Sequence, residues 1–340
     1  MFPRHVGQGA MSGTDGLRER LALEALEYKI APIANTLPYM LGGLTFTGIV
    51  VLVVSGVVLD QFYDPSTAGA HDSLVYVMTR VPLGVWVRAL HWWAASVVLM
   101  SVTAHVAWVF WRRSYARPRE ATWWSGVAML ALLFALAFTG TVLRGDQEGG
   151  EALAHAVAGG ALLGVVGAPI HPDFAPGTTL LARMHAAHVS LLPILLVALI
   201  GLHFWLIRHL GIHAMGPRTV PFTTHLRRLS GFSLLLAAGF GTVAAAWSPG
   251  LGFPAVGGVE VTKPYWPFLW IYAAENTMGL WGMIIAPAAL FLFLVAVPLI
   301  DQGPGPRRRW VVALAAVVLA ALIGALVYGA LAPQMQHLGM

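Results

Sequence analysis

The sequence predicts an all-α integral membrane protein with seven spanning helices, and three observations predict it. Of its 340 residues, 58% are hydrophobic and 10% are charged, whereas a soluble domain carries about 25% charge. Seven apolar stretches each reach the roughly 20 residues that a helix needs to cross a bilayer. The basic residues fall in the gaps between those stretches, as topology determinants do.

Taken in order, residues 1–36 form a polar segment expected to lie on the cytoplasmic side. Within it, residues 15–30 carry Leu17, Leu21, Leu23, Leu26 and Ile30 at helical spacing, which predicts an amphipathic helix on the membrane surface. No cleavable apolar leader is evident before Ala31. The spans are expected at Leu37–Leu59, Val85–Trp111, Trp123–Leu143, His188–Ile207, Leu229–Trp247, Leu280–Ile300 and Trp310–Leu331, with Trp123, Trp247 and Trp310 as interface anchors. The chain has no cysteine, which excludes disulfides, thiolate-held iron–sulfur clusters and thioether-attached heme. The high pI suits nucleic acid less than a membrane, because the charges sit in short loops.

Those loops set a direction. Fifteen of the 20 basic residues, including Arg112, Arg113, Arg117, Arg119, Arg208, Arg218, Arg227 and Arg228, fall on the N-terminal side; Arg80, Arg88, Arg144, Arg183 and Lys263 fall on the other. The positive-inside rule then places the N-terminus in the cytoplasm and the C-terminus outside. The long outer loops hold most of the acids, among them Asp64, Asp72, Asp146, Glu148, Glu151 and Asp173.

Four histidines carry the chemistry. His91 and His105 lie 14 residues apart in the second span; His188 and His203 lie 15 apart in the fourth. Fourteen residues are just under four turns, or about 21 Å, so the members of a pair share a face at two depths. Both helices run outside to inside. His91 and His188 therefore share an outer level, and His105 and His203 an inner one. Two imidazoles at each level suit two bis-histidine hemes. The plainer alternative is a histidine-lined proton or ion pathway. Gly42 and Gly56 in the first span and Gly126 and Gly140 in the third repeat the 14-residue interval, and glycine lets a flat macrocycle approach the backbone. Arg88, one turn before His91, and Arg183 are candidate partners of heme propionates. His185 competes with His188 as a ligand, His171 is a candidate outer-loop contact, and His155, His209, His213 and His225 read as peripheral.

With these residues in view, the chain resembles the cytochrome b of quinol-oxidising cytochrome bc complexes. The closer likeness is to the chloroplast-type form, with its four-helix part (37–215) and three-helix, subunit IV-like part (216–340) fused. The matching segments are LGGLTFTG (41–48), VRALHWWAAS (87–96), RPREATWWSG (117–126), FTGTVLRGDQ (138–147) and residues 188–212, with Pro193 five residues after His188. The resemblance implies a di-heme b-type subunit of a membrane quinol oxidoreductase, with His91 and His188 on the outer iron and His105 and His203 on the inner. It further implies a Rieske iron–sulfur protein and a c-type cytochrome as partners, a homodimeric complex, and a prokaryotic inner membrane.

The sequence departs from the family at the outer quinol site. The Pro-Glu-Trp-Tyr motif reads Pro264-Tyr265-Trp266-Pro267, so Tyr265 stands where a glutamate would take a quinol proton; Glu275, Asp146 or Glu148 are candidates to replace it. Trp108 replaces an arginine near the inner heme, for which Arg112 or Arg113 can substitute, and Met40 replaces the cysteine that attaches an extra heme, so no covalent heme is expected. A second function is compatible with these departures: an electron relay in a different dehydrogenase or reductase, with the outer quinol site altered or lost.

Overall fold

The computed structural model describes residues 20, 26, 28–302 and 308–339. Its helices are α1 (Leu37–Asp60), α2 (Ala70–Thr79), α3 (Gly84–Trp111), α4 (Glu120–Val142), α5 (Gln147–Leu162), α6 (Leu180–Leu210), α7 (Phe222–Ala246), α8 (Leu269–Met278), α9 (Gly282–Ile300) and α10 (Arg309–Leu331). Among the described residues, seven segments are long and apolar enough to span: α1, α3, α4, α6, α7, α10 and the stretch Trp266–Ile300 that contains α8 and α9. The chain is thus an all-α, multi-pass membrane protein, as its composition predicts.

The departures from the expected boundaries have local causes. Helix α6 begins eight residues before the expected start at His188, because the Thr179 hydroxyl accepts from Ala182 N–H at 3.2 Å and caps it. The sixth span is broken: α8 ends at Gly279, whose φ of +63° favours glycine, and a 3₁₀ turn at Gly279–Trp281 leads into α9. At the N-terminus, Lys29–Ile30 (β1) pairs antiparallel with Val220–Pro221 (β2), Lys29 opposite Pro221 and Ile30 opposite Val220. This corrects the C-terminal end of the expected 15–30 surface helix; Ile30 is buried against the bundle, and the pairing satisfies backbone groups that a helix end would leave open. Most of that expected helix lies outside the described residues.

Helix α1 packs along α3 and α4 along α6, and α7 leans on both α1 and α3. The inner core is formed by Val98, Tyr115, Trp123, Leu130, Leu133, Leu294 and Val297, with Trp123 Nε1 donating to the Leu294 carbonyl at 2.7 Å. Large apolar side chains stand exposed on the outward faces, such as Val197 and Ile194 on α6, Leu234 and Leu235 on α7, Leu292 on α9 and Val317 on α10. Such patches are unfavourable in water and suit lipid.

Loop contacts segregate to two ends. At one, Arg113 and Tyr115 bind the buried Asp301 at 2.8 and 2.7 Å, and Arg119 donates to the Leu210 and Gly211 carbonyls at 2.7 Å. At the other, Arg88 donates to the Pro249 and Gly250 carbonyls, His71 Nε2 to Gly252 O, and Gln147 N–H to Phe253 O. Alternate loops meet at alternate ends, as successive spans of opposite direction require.

Candidate functional site

The four histidines face the centre of the bundle made by α1, α3, α4 and α6. His91 on α3 and His188 on α6 come together with ring centres 6.4 Å apart, and His105 lies close enough to His203 to interact electrostatically. The four glycines sit behind these rings. A Cβ on Gly56 would lie 3.2 Å from His91 Cε1, one on Gly42 3.1 Å from His105 Cε1, one on Gly140 3.1 Å from His188 Cε1, and one on Gly126 3.7 Å from His203 Cε1. The glycines thus seat the imidazoles, a nearer task than the approach to a macrocycle suggested by their spacing. Larger side chains at three of the four positions would push a ring toward its opposite number.

The residue before each glycine completes the seat. Ser55 Oγ meets His91 Nδ1 at 3.0 Å, Thr139 Oγ1 meets His188 Nδ1 at 2.9 Å, and Ser125 Oγ meets His203 Nδ1 at 2.9 Å. Each hydroxyl spends its own hydrogen on a carbonyl one turn back: Ser55 on Val51, Thr139 on Ala135, Ser125 on Thr122. Each oxygen can therefore only accept from the imidazole, which fixes the proton on Nδ1 and leaves the Nε2 lone pair free. A metal-ligating histidine shows the same pattern, its second nitrogen anchored by an outer partner. The fourth seat differs. Leu41 precedes Gly42, and His105 Nδ1 is buried without a hydrogen bond. These hydroxyl partners escaped the sequence reading, although the Ser-Gly, Ser-Gly and Thr-Gly pairs at the 14-residue interval were the available signal.

Two imidazoles that ligate one metal from opposite sides, at about 2 Å per nitrogen, stand with ring centres roughly 6 Å apart. The 6.4 Å separation of His91 and His188, the free Nε2 lone pairs and the small-residue seats all fit axial ligation of heme iron.

Around His188 the helix takes a π turn, Ala187–Leu191, before Pro193. A π turn admits one extra residue. It therefore absorbs the difference between the 15-residue interval of α6 and the 14-residue interval of α3. His185 points elsewhere: its Nε2 meets Asp60 Oδ1 at 2.7 Å and its ring stacks on Tyr63.

The two arginines expected beside propionates hold loops. Arg88 is buried and binds the Pro249 and Gly250 carbonyls at 2.6 and 3.1 Å; Arg183 binds the carbonyls of Pro169, His171 and Pro172. His171 is half-exposed beside Asp173. At the inner end Arg113 is engaged by Asp301, whereas Arg112 Nε is buried without a hydrogen bond.

The outer site gathers Tyr265, Asp146, Arg144 and Glu148. The Tyr265 hydroxyl hydrogen-bonds Ser96 Oγ, and burial pushes the phenol above its ordinary value, further from proton uptake at neutral pH. Asp146 is fully buried, pairs with Arg144, caps α5 at Gly149 N–H and accepts from Gly252 N–H. Those bonds make it a fixed anchor. Glu148 takes Arg144 Nη1 on Oε2 at 2.6 Å, keeps Oε1 buried without a hydrogen bond, and lies against the Tyr265 backbone N–H. Burial pushes its carboxyl upward in spite of Arg144. Glu275 has other neighbours, His155 and His337.

A family model described as cytochrome b(N-terminal)/b6/petB matches residues 96–299, an interval that holds His105, His188 and His203 and begins five residues after His91. A curated relative, the cytochrome b6 of Tupiella akineta, is 34% identical over 206 residues, covering 58% of this chain and 96% of that protein. A solved structure, a hyperthermophilic respiratory Complex III, has a chain that superposes with a TM-score of 0.79 over 95% of this chain and 91% of its own at 24% identity; that match speaks for the fold.

Proposed function

Because the chain belongs to the cytochrome b(N-terminal)/b6/petB family, we propose that it is the di-heme subunit of a membrane quinol oxidoreductase complex. His91 and His188 would hold an outer heme b, and His105 and His203 an inner one. The observation that carries this reading is the facing pair His91 and His188, 6.4 Å apart, each anchored through Nδ1 by a hydroxyl. Heme b, when bound, takes up and releases one electron at its iron. The protein supplies two fixed imidazoles per level, seats that hold their rings, and an apolar surround that excludes water from the electron path.

At the outer end, Glu148 takes the part of the glutamate that Tyr265 replaces. Its unpaired Oε1 accepts a quinol proton, and Arg144 holds the carboxylate in place. Tyr265, bonded to Ser96, positions the site and does not act as its base. This carboxylate beside the altered motif favours a working quinol site over the second reading, a relay whose outer site is lost. In the same account, residues 37–215 bind the hemes and 216–340 close the quinol site. The chain sits in a prokaryotic inner membrane, N-terminus inward, and the first electron passes to a Rieske-type protein and then to a c-type cytochrome.

The test is optical. The purified chain, with its copurifying subunits, is mixed anaerobically with a short-chain quinol. Two reducible b-type components with separate midpoint potentials are expected. A b-type spectrum that quinol leaves oxidised, in preparations that dithionite reduces, selects the relay reading; the absence of any b-type band overturns both.

A further inference from the structure

A second group of ligand-type side chains lies away from the bundle. His155 on α5, Glu275 on α8 and His337 in the C-terminal tail each bring one ligand atom within 4.8 Å of the others. Glu260, from the loop between α7 and α8, adds Oε1 at 3.2 Å from His155 Nε2 and 3.3 Å from His337 Nδ1. Four segments distant in sequence thus converge.

Their chemistry leaves a gap to be filled. His155 Nδ1 lies 2.8 Å from the Glu151 carbonyl, and a carbonyl only accepts, so Nδ1 carries the proton. In the neutral ring, the Nε2 lone pair then faces two carboxylate oxygens, Glu260 Oε1 at 3.2 Å and Glu275 Oε1 at 3.4 Å. Three acceptors facing one another repel unless a proton or a metal cation lies among them. Both carboxylates are more than nine-tenths buried, and Glu275 Oε1 has no hydrogen bond. Glu260 is oriented from behind: its Oε2 accepts from the His337 and Leu338 N–H groups at 2.8 and 3.1 Å, which turns Oε1 toward the cluster. The spacing suits a small metal ion. Ligand atoms at 2.0–2.1 Å around a tetrahedral ion stand about 3.3 Å apart, and three of the four measured separations here run from 3.2 to 3.4 Å, the fourth, His337 Nδ1 to Glu275 Oε2, being 4.0 Å.

We propose that His155, Glu260, Glu275 and His337 form a binding site for a divalent transition metal ion, zinc in particular. Two imidazoles and two carboxylates balance a charge of two and supply the nitrogen and oxygen donors that zinc accepts. With four protein ligands the site is closed, and its work is structural: it ties the C-terminal tail, the α7–α8 loop, α5 and α8 into one unit. The His155 proton on the Glu151 carbonyl is the outer-partner arrangement expected of a ligating histidine.

The experiment uses the full-length chain in detergent, stripped with chelator and then dialysed against zinc chloride. Elemental analysis is expected to return one tightly held zinc per chain. Glu275→Gln and His337→Ala are each expected to weaken retention by 10- to 100-fold, with helix content by circular dichroism unchanged. Zinc K-edge absorption of the wild-type protein is expected to show two imidazoles in a shell of nitrogen and oxygen. That measurement decides the matter even where a variant fails to fold. No zinc retained by the wild-type chain, or zinc held without imidazoles, or retention in both folded variants equal to that of the wild type, overturns the proposal and leaves an imidazolium–carboxylate network in its place.

Discussion

Each imidazole in the bundle divides its two nitrogens between tasks: Nδ1 is anchored and Nε2 faces the gap. The exception is His105, whose Nδ1 is buried without a hydrogen bond behind Gly42, the glycine that Leu41 precedes. Leu41→Ser is expected to supply that acceptor and raise the donor strength of the ring. A net hydrogen bond of about 1 kcal/mol corresponds to at most about 40 mV for one electron. The inner heme is therefore expected to fall by up to that amount in a potentiometric titration while the outer heme stays fixed. A shift confined to the outer heme would contradict the assignment of levels. Glu148 carries the second prediction at this scale. A quinol proton can be accepted only by the ionised carboxylate, so activity falls as pH drops through its upward-shifted value. Glu148→Gln is expected to lower quinol oxidation at least about 100-fold, the typical contribution of a general base, and to remove that acid limb. Unchanged activity with the acid limb intact would assign proton uptake elsewhere.

At the scale of elements, the π turn at Ala187–Leu191 keeps His188 and His203 in register. A single alanine inserted after Val197, in regular helix, turns His203 by about 100° relative to His188. Pyridine hemochrome analysis of that variant is expected to return one heme per chain. Deletion of Ser190 combined with Pro193→Ala converts the π turn into regular helix with a 14-residue interval, and is expected to keep both hemes; loss of the inner one would show that the turn does more than absorb a residue. The spans themselves were legible in the sequence because hydropathy and length state them directly, and the alternation of their loops between two ends because the basic residues cluster between alternate pairs. The π turn was not, since a 15-residue interval and a proline are compatible with a regular helix. Nor was the strand at Lys29–Ile30, whose partner Val220–Pro221 is 190 residues away.

At the scale of the whole molecule, the meeting of four histidines in two pairs could be read from their spacing, because helical periodicity converts spacing into height and face. The hydroxyl anchors were not read, since a serine or threonine before a glycine has many other uses. The cluster of His155, Glu260, Glu275 and His337 could not be read at all: it is assembled by tertiary contacts, and its members share no interval. The outer end depends on such contacts throughout, with α5 held on the α7–α8 loop through Gln147 and Glu151. The inner end is fastened by Asp301, buried between Arg113 and Tyr115. Asp301→Ala removes the buried carboxylate that Arg113 and Tyr115 bind, and a loss of about 3–5 kcal/mol is expected, visible as a lower melting temperature. The central claim, that four imidazoles clamp two hemes in two storeys, is tested most directly by counting heme in His91→Ala, His188→Ala, His105→Ala and His203→Ala and titrating what remains. The account predicts one heme per chain in each variant, with the first two retaining the same redox component and the last two retaining the other. Full heme content in all four, or retained components that pair His91 with His105, would contradict it.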